Sequence, residues 1–165
     1  MSSTVKRMFL AQEELNMRVG KDPNWVKRKL VEGSLNPIAR QQVWEHWMSP
    51  FIHAMQSELA ELQDCFPWKH WRRIEDQPWD LQNARVEVID LFHFWMSLAM
   101  GVGLDPESFI AGYFEKNRIN HNRQDVGYTV KNEDDCRSIL DKYCMECETP
   151  YSGSVCPRCG PPCTS

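Results

Sequence analysis

No run of the 165-residue chain is apolar for long enough to cross a bilayer as a helix, which takes roughly 20 residues. The longest candidate, Leu91 to Leu104, is interrupted by His93 and Ser97, so a membrane span is not expected. A secretory leader is not expected either. Behind Lys6 and Arg7 stand only Met8 to Ala11 before Gln12, against the roughly 7–15 apolar residues such a signal needs. A cytoplasmic location follows as the expectation. Positive charge is not in excess either: 19 Lys and Arg face 23 Asp and Glu, for a net charge of −4. No global field is therefore present to hold a phosphate backbone, and strong nucleic-acid binding is not expected. Strand-like alternation and internal repeats are missing. So is a complete disulfide framework, because seven cysteines is an odd number, and in a reducing compartment they are thiols or metal ligands.

What remains is helical. Val5, Met8, Phe9, Ala11 and Leu15 recur at helical spacing between about Thr4 and Arg18, and Gly20 and Pro23 end that segment. Lys21 to Asn36 reads as a loop with a turn of helix around Trp25 to Leu30. A second helix is expected from near Pro37 to about Cys65, stopped by Pro67. After a Trp- and Pro-rich connection, Leu81 to Met100 is the strongest helical pattern, closed by Gly101 and Gly103. Asp105 as N-cap and Pro106 at the first helical position open a last helix reaching about Gln124. The fold class is all-α, an antiparallel helix bundle. Residues 1–130 form the expected main domain, 131–143 a linker and 144–165 a separate tail.

Two pairs of acids stand out. Glu87 and Asp90 are spaced i, i+3 in a helix whose apolar residues, from Val86 to Met96, point in nearly every direction, so this helix is expected to be buried on most sides. Two dry like charges cost several kcal/mol per ion unless they are protonated, paired or metal-bound. Glu58 and Glu61 repeat the spacing on the preceding helix. Each such pair taken alone also fits a solvated helix face. Two facing pairs would supply four oxygen ligands, which suits Mg²⁺, or Mn²⁺, rather than zinc.

Three ordered stretches carry a resemblance. They are Glu58-Leu-Ala-Glu61 through Asp64 and Trp68-Lys69-His70-Trp71; Asn83-Ala-Arg-Val-Glu87-Val-Ile-Asp90-Leu-Phe-His93-Phe94; and Lys116-Asn117 through Asn120, Arg123, Gln124 and Tyr128. Over about residues 8 to 128 the chain resembles the all-α dimeric dUTPases and the related phage dCTP/dUTP pyrophosphatases, within the MazG-like superfamily. The resemblance implies a Mg²⁺-dependent nucleoside triphosphate diphosphatase that cleaves dUTP or dCTP to the monophosphate and pyrophosphate, acting as a homodimer in the cytoplasm of a phage host. It assigns Glu58, Glu61, Glu87 and Asp90 as Mg²⁺ ligands, with Glu58, or in competition Glu61, activating the water. Metal-held phosphates and a positioned water are what phosphoryl transfer chiefly requires.

For the substrate, the resemblance implies base recognition by Gln12 and Asn16 and a phosphate contact at Lys69. Lys116, Asn117, Asn120, Arg123 and Gln124 share one broad helical face suited to phosphate and sugar oxygens. Trp68 and Trp71 are either core packing or a base platform, and Phe94 is a further substrate-side candidate. Asn83, Asp64 and His93 are candidates to orient the ligands, His93 equally a packed core histidine. The chain lacks the long helical insertion that many cellular members carry between the equivalents of Leu98 and Asp105, and Met17 stands where the dimeric dUTPases usually have Asp. An amide can rotate to serve uracil or cytosine, so base preference stays open.

The tail carries Cys144-x-x-Cys147 and, after eight residues, Cys156-x-x-Cys159 followed by Gly160. Two such knuckles give four thiolates to one tetrahedral Zn²⁺, with iron as the chemical competitor. The metal would supply the ordering free energy that so short a segment lacks. Such a module could also dock a protein partner. Two other functions compete: a pyrophosphatase for purine or modified deoxynucleotides, and a non-catalytic adaptor whose working part is the zinc module.

Overall fold

The computed structural model describes residues 2–125, 127, 143–144 and 149–150. In order they form α1 (Ser2–Arg18), α2 (Pro23–Gly33), α3 (Pro37–Val43), a π-helical turn (Trp44–Met48), α4 (Ser49–Asp64), a 3₁₀ turn (Ile74–Asp76), α5 (Leu81–Gly101), α6 (Pro106–Asp125) and two antiparallel two-residue strands, β1 (Tyr143–Cys144) and β2 (Thr149–Pro150). Among the described residues the fold is all-α apart from that strand pair. Among the described residues no single helix is long and apolar enough to cross a membrane. The chain divides into two compact units, Arg7–Gly103 on the one hand and Met1–Lys6 with Leu104–Ser165 on the other. The domain limit expected near residue 130 and the linker to 143 lie outside the described residues.

In the Arg7–Gly103 unit, α4 and α5 run antiparallel. Cys65, which caps α4, lies 3.4 Å from Asn83 at the start of α5, while Phe51 near the start of α4 meets Phe94 further along α5, ring centroids 6.3 Å apart. Trp47 is the largest fully buried side chain. Its indole N–H donates to the Ser97 carbonyl at 2.8 Å, and an added Cβ on Gly101 would stand 2.5 Å from its ring, so α5 has a side-chain-free position where the indole enters. Replacing a buried ring of this size by Ala costs about 3–5 kcal/mol.

The segment expected as one helix from Pro37 to Cys65 is helical throughout, but with one π turn in its middle. Pro50 supplies the local reason, because it has no N–H to give to the carbonyl four residues back. That carbonyl, on His46, instead accepts from the Lys21 ammonium. At α2 the expectation was too short. Asp22 caps the Asn24 N–H at 2.8 Å and Pro23 occupies the first turn, so the whole of Pro23–Gly33 is helix and it buries Val26.

The expectation for α5 also needs correction. Its buried positions are Ala84, Glu87 and the run from Met96 to Gly101, whereas Val86, Val88 and Ile89 are 47%, 52% and 57% exposed. The helices of one unit cover one side of the first half of α5 and leave an apolar stripe open, with Leu59 of α4 also exposed.

The second unit is built on α6. Asp105 Oδ1 accepts from the Ser108 N–H at 2.6 Å and Ser108 Oγ from the Asp105 N–H at 2.9 Å, a reciprocal cap that starts the helix where the sequence placed it.

Candidate metal and nucleotide site

α4 and α5 bring three acids to one point. Carboxylate oxygens of Glu58, Glu61 and Glu87 lie within 4.8 Å of one another. Helical spacing puts Glu58 and Glu61 on one face of α4, and the antiparallel neighbour supplies Glu87, which is 6% exposed. Glu87 is steadied by Asn83, whose amide donates to Glu87 Oε1 at 2.9 Å and touches Cys65 Sγ at 3.4 Å. The Cys65 thiol in turn meets the Glu61 carbonyl at 3.3 Å. The carboxyl of Glu58 is held above its ordinary range by burial, then by a hydrogen bond with Glu87 and by the charges of Glu61, Glu87 and Asp90. Every charged neighbour in that shift is an acid. Asp90 thus acts on the cluster through its field but is not among the three converging groups.

The connection after α4 is folded around Gln77. Gln77 Oε1 accepts from the Lys69 N–H at 2.8 Å and its Nε2 donates to the Lys69 carbonyl at 3.1 Å. Trp68 donates to Asp64 Oδ1 at 2.7 Å, and Lys69 Nζ lies 3.8 Å from the same oxygen and 5.2 Å from the Trp68 ring centroid. A cavity of about 260 Å³ opens between Asp64, Lys69 and Arg72. Trp68 and Trp71 are 40% and 62% exposed and meet edge to face, so neither is core packing. Phe94 goes the other way, half-buried against Phe51.

Gln12 and Asn16 are 4% and 1% exposed, with their amides turned into the core. Gln12 Nε2 reaches Asn16 Oδ1 and Ser97 Oγ, and Gln12 Oε1 meets His93 Nδ1 at 2.7 Å. His93 therefore meets α1 rather than the acids. Gln12 thus engages both its amide group and its carbonyl oxygen within the protein, and Asn16 directs its NH₂ group to the Met100 thioether at 3.7 Å. Neither Ser97 nor Gln77 is distinctive in the sequence: each is a single polar residue whose meaning lies in distant partners.

On α6, in the other unit, Asn117, Asn120, Arg123 and Gln124 line a cavity of about 320 Å³ together with His121. Lys116 is half-buried on the same helix. In the tail, Cys144 lies in β1, and Cys147, Cys156 and Cys159 are outside the described residues.

A family described as dUTPase matches residues 4–110. The chain belongs to the dUTPase family. The match takes in both pairs of acids, the two amides of α1, His93 and the Trp68–Trp71 turn, and ends before the polar face of α6. Among relatives, the dCTP pyrophosphatase of Enterobacteria phage LZ5 is 35% identical over 140 residues, covering 73% of this chain and 80% of the relative. The dCTP pyrophosphatase of Enterobacteria phage T4 is 29% identical over 86 residues, 52% of this chain. The match to the T4 protein spans only 42% of that protein's length. A DNA replication protein of the same phage is 25% identical over 76 residues, 46% of this chain and 16% of the relative. No solved structure matches the chain significantly.

Proposed function

We propose that the chain is a divalent-metal-dependent pyrophosphatase of deoxypyrimidine nucleoside triphosphates, cleaving dCTP and dUTP to the monophosphate and pyrophosphate. The observation that carries this reading is the convergence of Glu58, Glu61 and Glu87. The family and the dCTP pyrophosphatases among its relatives supply the substrate class. Three crowded carboxylates, one nearly buried and one held above its ordinary range by burial and then by its acidic neighbours, have the chemistry of a cation site. Their all-oxygen donor set fits Mg²⁺, or Mn²⁺. Glu58, Glu61 and Glu87 would hold the ion, with Asp90 as the fourth acid beside them. When bound, the metal neutralises and aligns the triphosphate.

The chain's own groups do the rest. Glu58, whose carboxyl takes up a proton more readily than an ordinary one, orients the attacking water and receives its proton. Asn83 holds Glu87 in place. Lys69, beside the cavity after α4, contacts phosphate, and the Asn117, Asn120, Arg123 and Gln124 face of α6 is itself suited to phosphate and sugar oxygens. Trp68 and Trp71 offer exposed rings to the nucleotide. A second copy of the chain would cover the apolar stripe of Val86, Val88 and Ile89, in keeping with a homodimer. In the tail, the paired Cys-x-x-Cys spacing is what supports Zn²⁺ on Cys144, Cys147, Cys156 and Cys159. Free nucleotides in the cytoplasm of a phage host are the substrate pool.

The test is pyrophosphate release from the five common deoxynucleoside triphosphates with Mg²⁺, for the wild type and for Glu61→Ala and Glu87→Ala. Turnover of dCTP and dUTP that both variants lose is the expected result. Turnover confined to purines, or none with any nucleotide, overturns the reading.

A further inference from the structure

Cys65 joins the two helices that carry the converging acids. Its thiol donates to the Glu61 carbonyl at 3.3 Å, one turn back on α4, and its sulfur accepts from Asn83 Nδ2 at 3.4 Å. The same Nδ2 donates to Glu87 Oε1 at 2.9 Å. A continuous line of bonds therefore runs from the main chain of Glu61, through a thiol and an amide, to the carboxyl group of Glu87. The main chain ties the junction a second time, since the Cys65 carbonyl accepts from the Asp80 N–H at 3.0 Å and Asp80 Oδ1 caps the Asn83 N–H at 2.9 Å. Cys65 is 4% exposed. Its sulfur is not among the ligand atoms that lie within 4.8 Å of one another, so the thiol stands behind the acids rather than with them.

Donors and acceptors along this line fit in one direction. A thiol has a single hydrogen, and the Glu61 carbonyl takes it, so what the sulfur turns to Asn83 is a lone pair. Glu87 turns a carboxylate oxygen to the same amide. Both neighbours call for hydrogen, and an NH₂ group has two to give. Asn83 is an exposed residue, so water competes for its amide, and a single bond to Glu87 would leave it free to swing outward. The sulfur takes the second hydrogen on the buried side. Although an N–H to sulfur bond is weak, it settles where the amide rests, and the amide is a neutral donor to an acid in a cluster whose charged members are all acids.

We propose that Cys65 is a positioning residue of the acid cluster: its thiol, spanning the Glu61 carbonyl and the Asn83 amide, keeps the NH₂ group of Asn83 on Glu87 and so sets how tightly the three acids hold a divalent cation. The inference rests on the reading of those acids as a cation site. Groups that orient a metal ligand from behind are worth about 10–100-fold in affinity. Cys65 acts at one remove, through Asn83, and its effect is smaller.

The test is the dissociation constant of Mn²⁺, which takes the same oxygen donors, measured by electron paramagnetic resonance on the full-length protein. Only the Mn²⁺ that Glu87→Gln loses is counted. Cys65→Ala raises that constant about fivefold, whereas Cys65→Ser, which keeps one donor and an acceptor, stays within about twofold of the wild type. In an Asn83→Ala background, Cys65→Ala adds less than about twofold, because the residue it works through is gone. A merely structural role would lower the urea midpoint and leave this pattern absent. Mn²⁺ binding unchanged in Cys65→Ala overturns the proposal, as does a full fivefold loss in the Asn83→Ala background. Should Cys65→Ala fail to fold, Cys65→Val, which fills the space of the thiol without a polar atom, is read against the same outcomes. A wild type that binds no Mn²⁺ at Glu87 defeats the cation site and the role of Cys65 together. Binding without turnover of any deoxynucleoside triphosphate defeats the pyrophosphatase reading, and Cys65 is then judged by the Mn²⁺ constants alone.

Discussion

Helix α5 carries two polar insertions nearly three turns apart, and they are opposites. Around Glu87, three carboxylates crowd together, and burial with those acidic neighbours raises the proton affinity of Glu58. Around Ser97, four polar side chains fit one another at 2.7–3.1 Å. The first cluster is in conflict by itself and becomes consistent when a cation arrives. The second is consistent already. A folded chain tolerates local conflict where binding relieves it and spends matched polar groups where geometry must hold. On the proposed function the acids are therefore the place for chemistry, while the amides hold α1 against α5.

The sharpest way to break that contrast is Glu87→Gln. Loss of one metal ligand removes several kcal/mol of charge stabilisation in the transition state, so kcat/KM should fall on the order of 10³-fold. The metal-free fold should be no less stable, because one of three like charges is gone. A variant that loses stability and keeps activity would reverse the roles of the two clusters. Asn83→Ala follows in size. It leaves the ligand and removes its hydrogen-bonded support, and the Mg²⁺ concentration for half-maximal turnover should rise about 10–100-fold. At the other cluster, Ser97→Ala takes one partner from each amide and should cost about 1–3 kcal/mol in urea unfolding, with Mg²⁺ dependence unchanged.

The two clusters were unequally legible in the sequence. Acids at i, i+3 on successive helices announce themselves, since few other reasons place Glu87 and Asp90 among so many apolar residues. Asp105-Pro106 likewise marked the start of α6. Asp22-Pro23 carries the same chemistry at α2, but the charges and small residues around it mask the helical period. The burial of α5 was overread, because an apolar count cannot say which neighbours exist to cover a face, and Val86, Val88 and Ile89 lie open. Ser97 gave no signal at all. Its partners Gln12 and Asn16 stand 85 and 81 residues away, and only the packing of α1 on α5 reveals that one serine completes a network.

The smallest effect is one of pH, at Glu58. Burial and the neighbouring acids hold its carboxyl above the ordinary carboxylate range in the folded, metal-free chain, while the unfolded chain titrates at the ordinary value of about 4.5. Between the two, the folded state holds a proton that the unfolded state has released, so this group's contribution to stability falls as pH rises through that window. Glu58 stays partly open to water, and screening keeps the effect modest. The check is the thermal midpoint against pH in EDTA, taken as the difference between the wild type and Glu58→Gln: the wild type should lose ground relative to the variant as pH rises above about 4.5. Mg²⁺ competes with the same proton, so its stabilisation of the wild type should grow with pH over that interval. A difference curve that is flat in EDTA would mean that the acids do not oppose one another, and the contrast with the amide cluster would lose its physical basis.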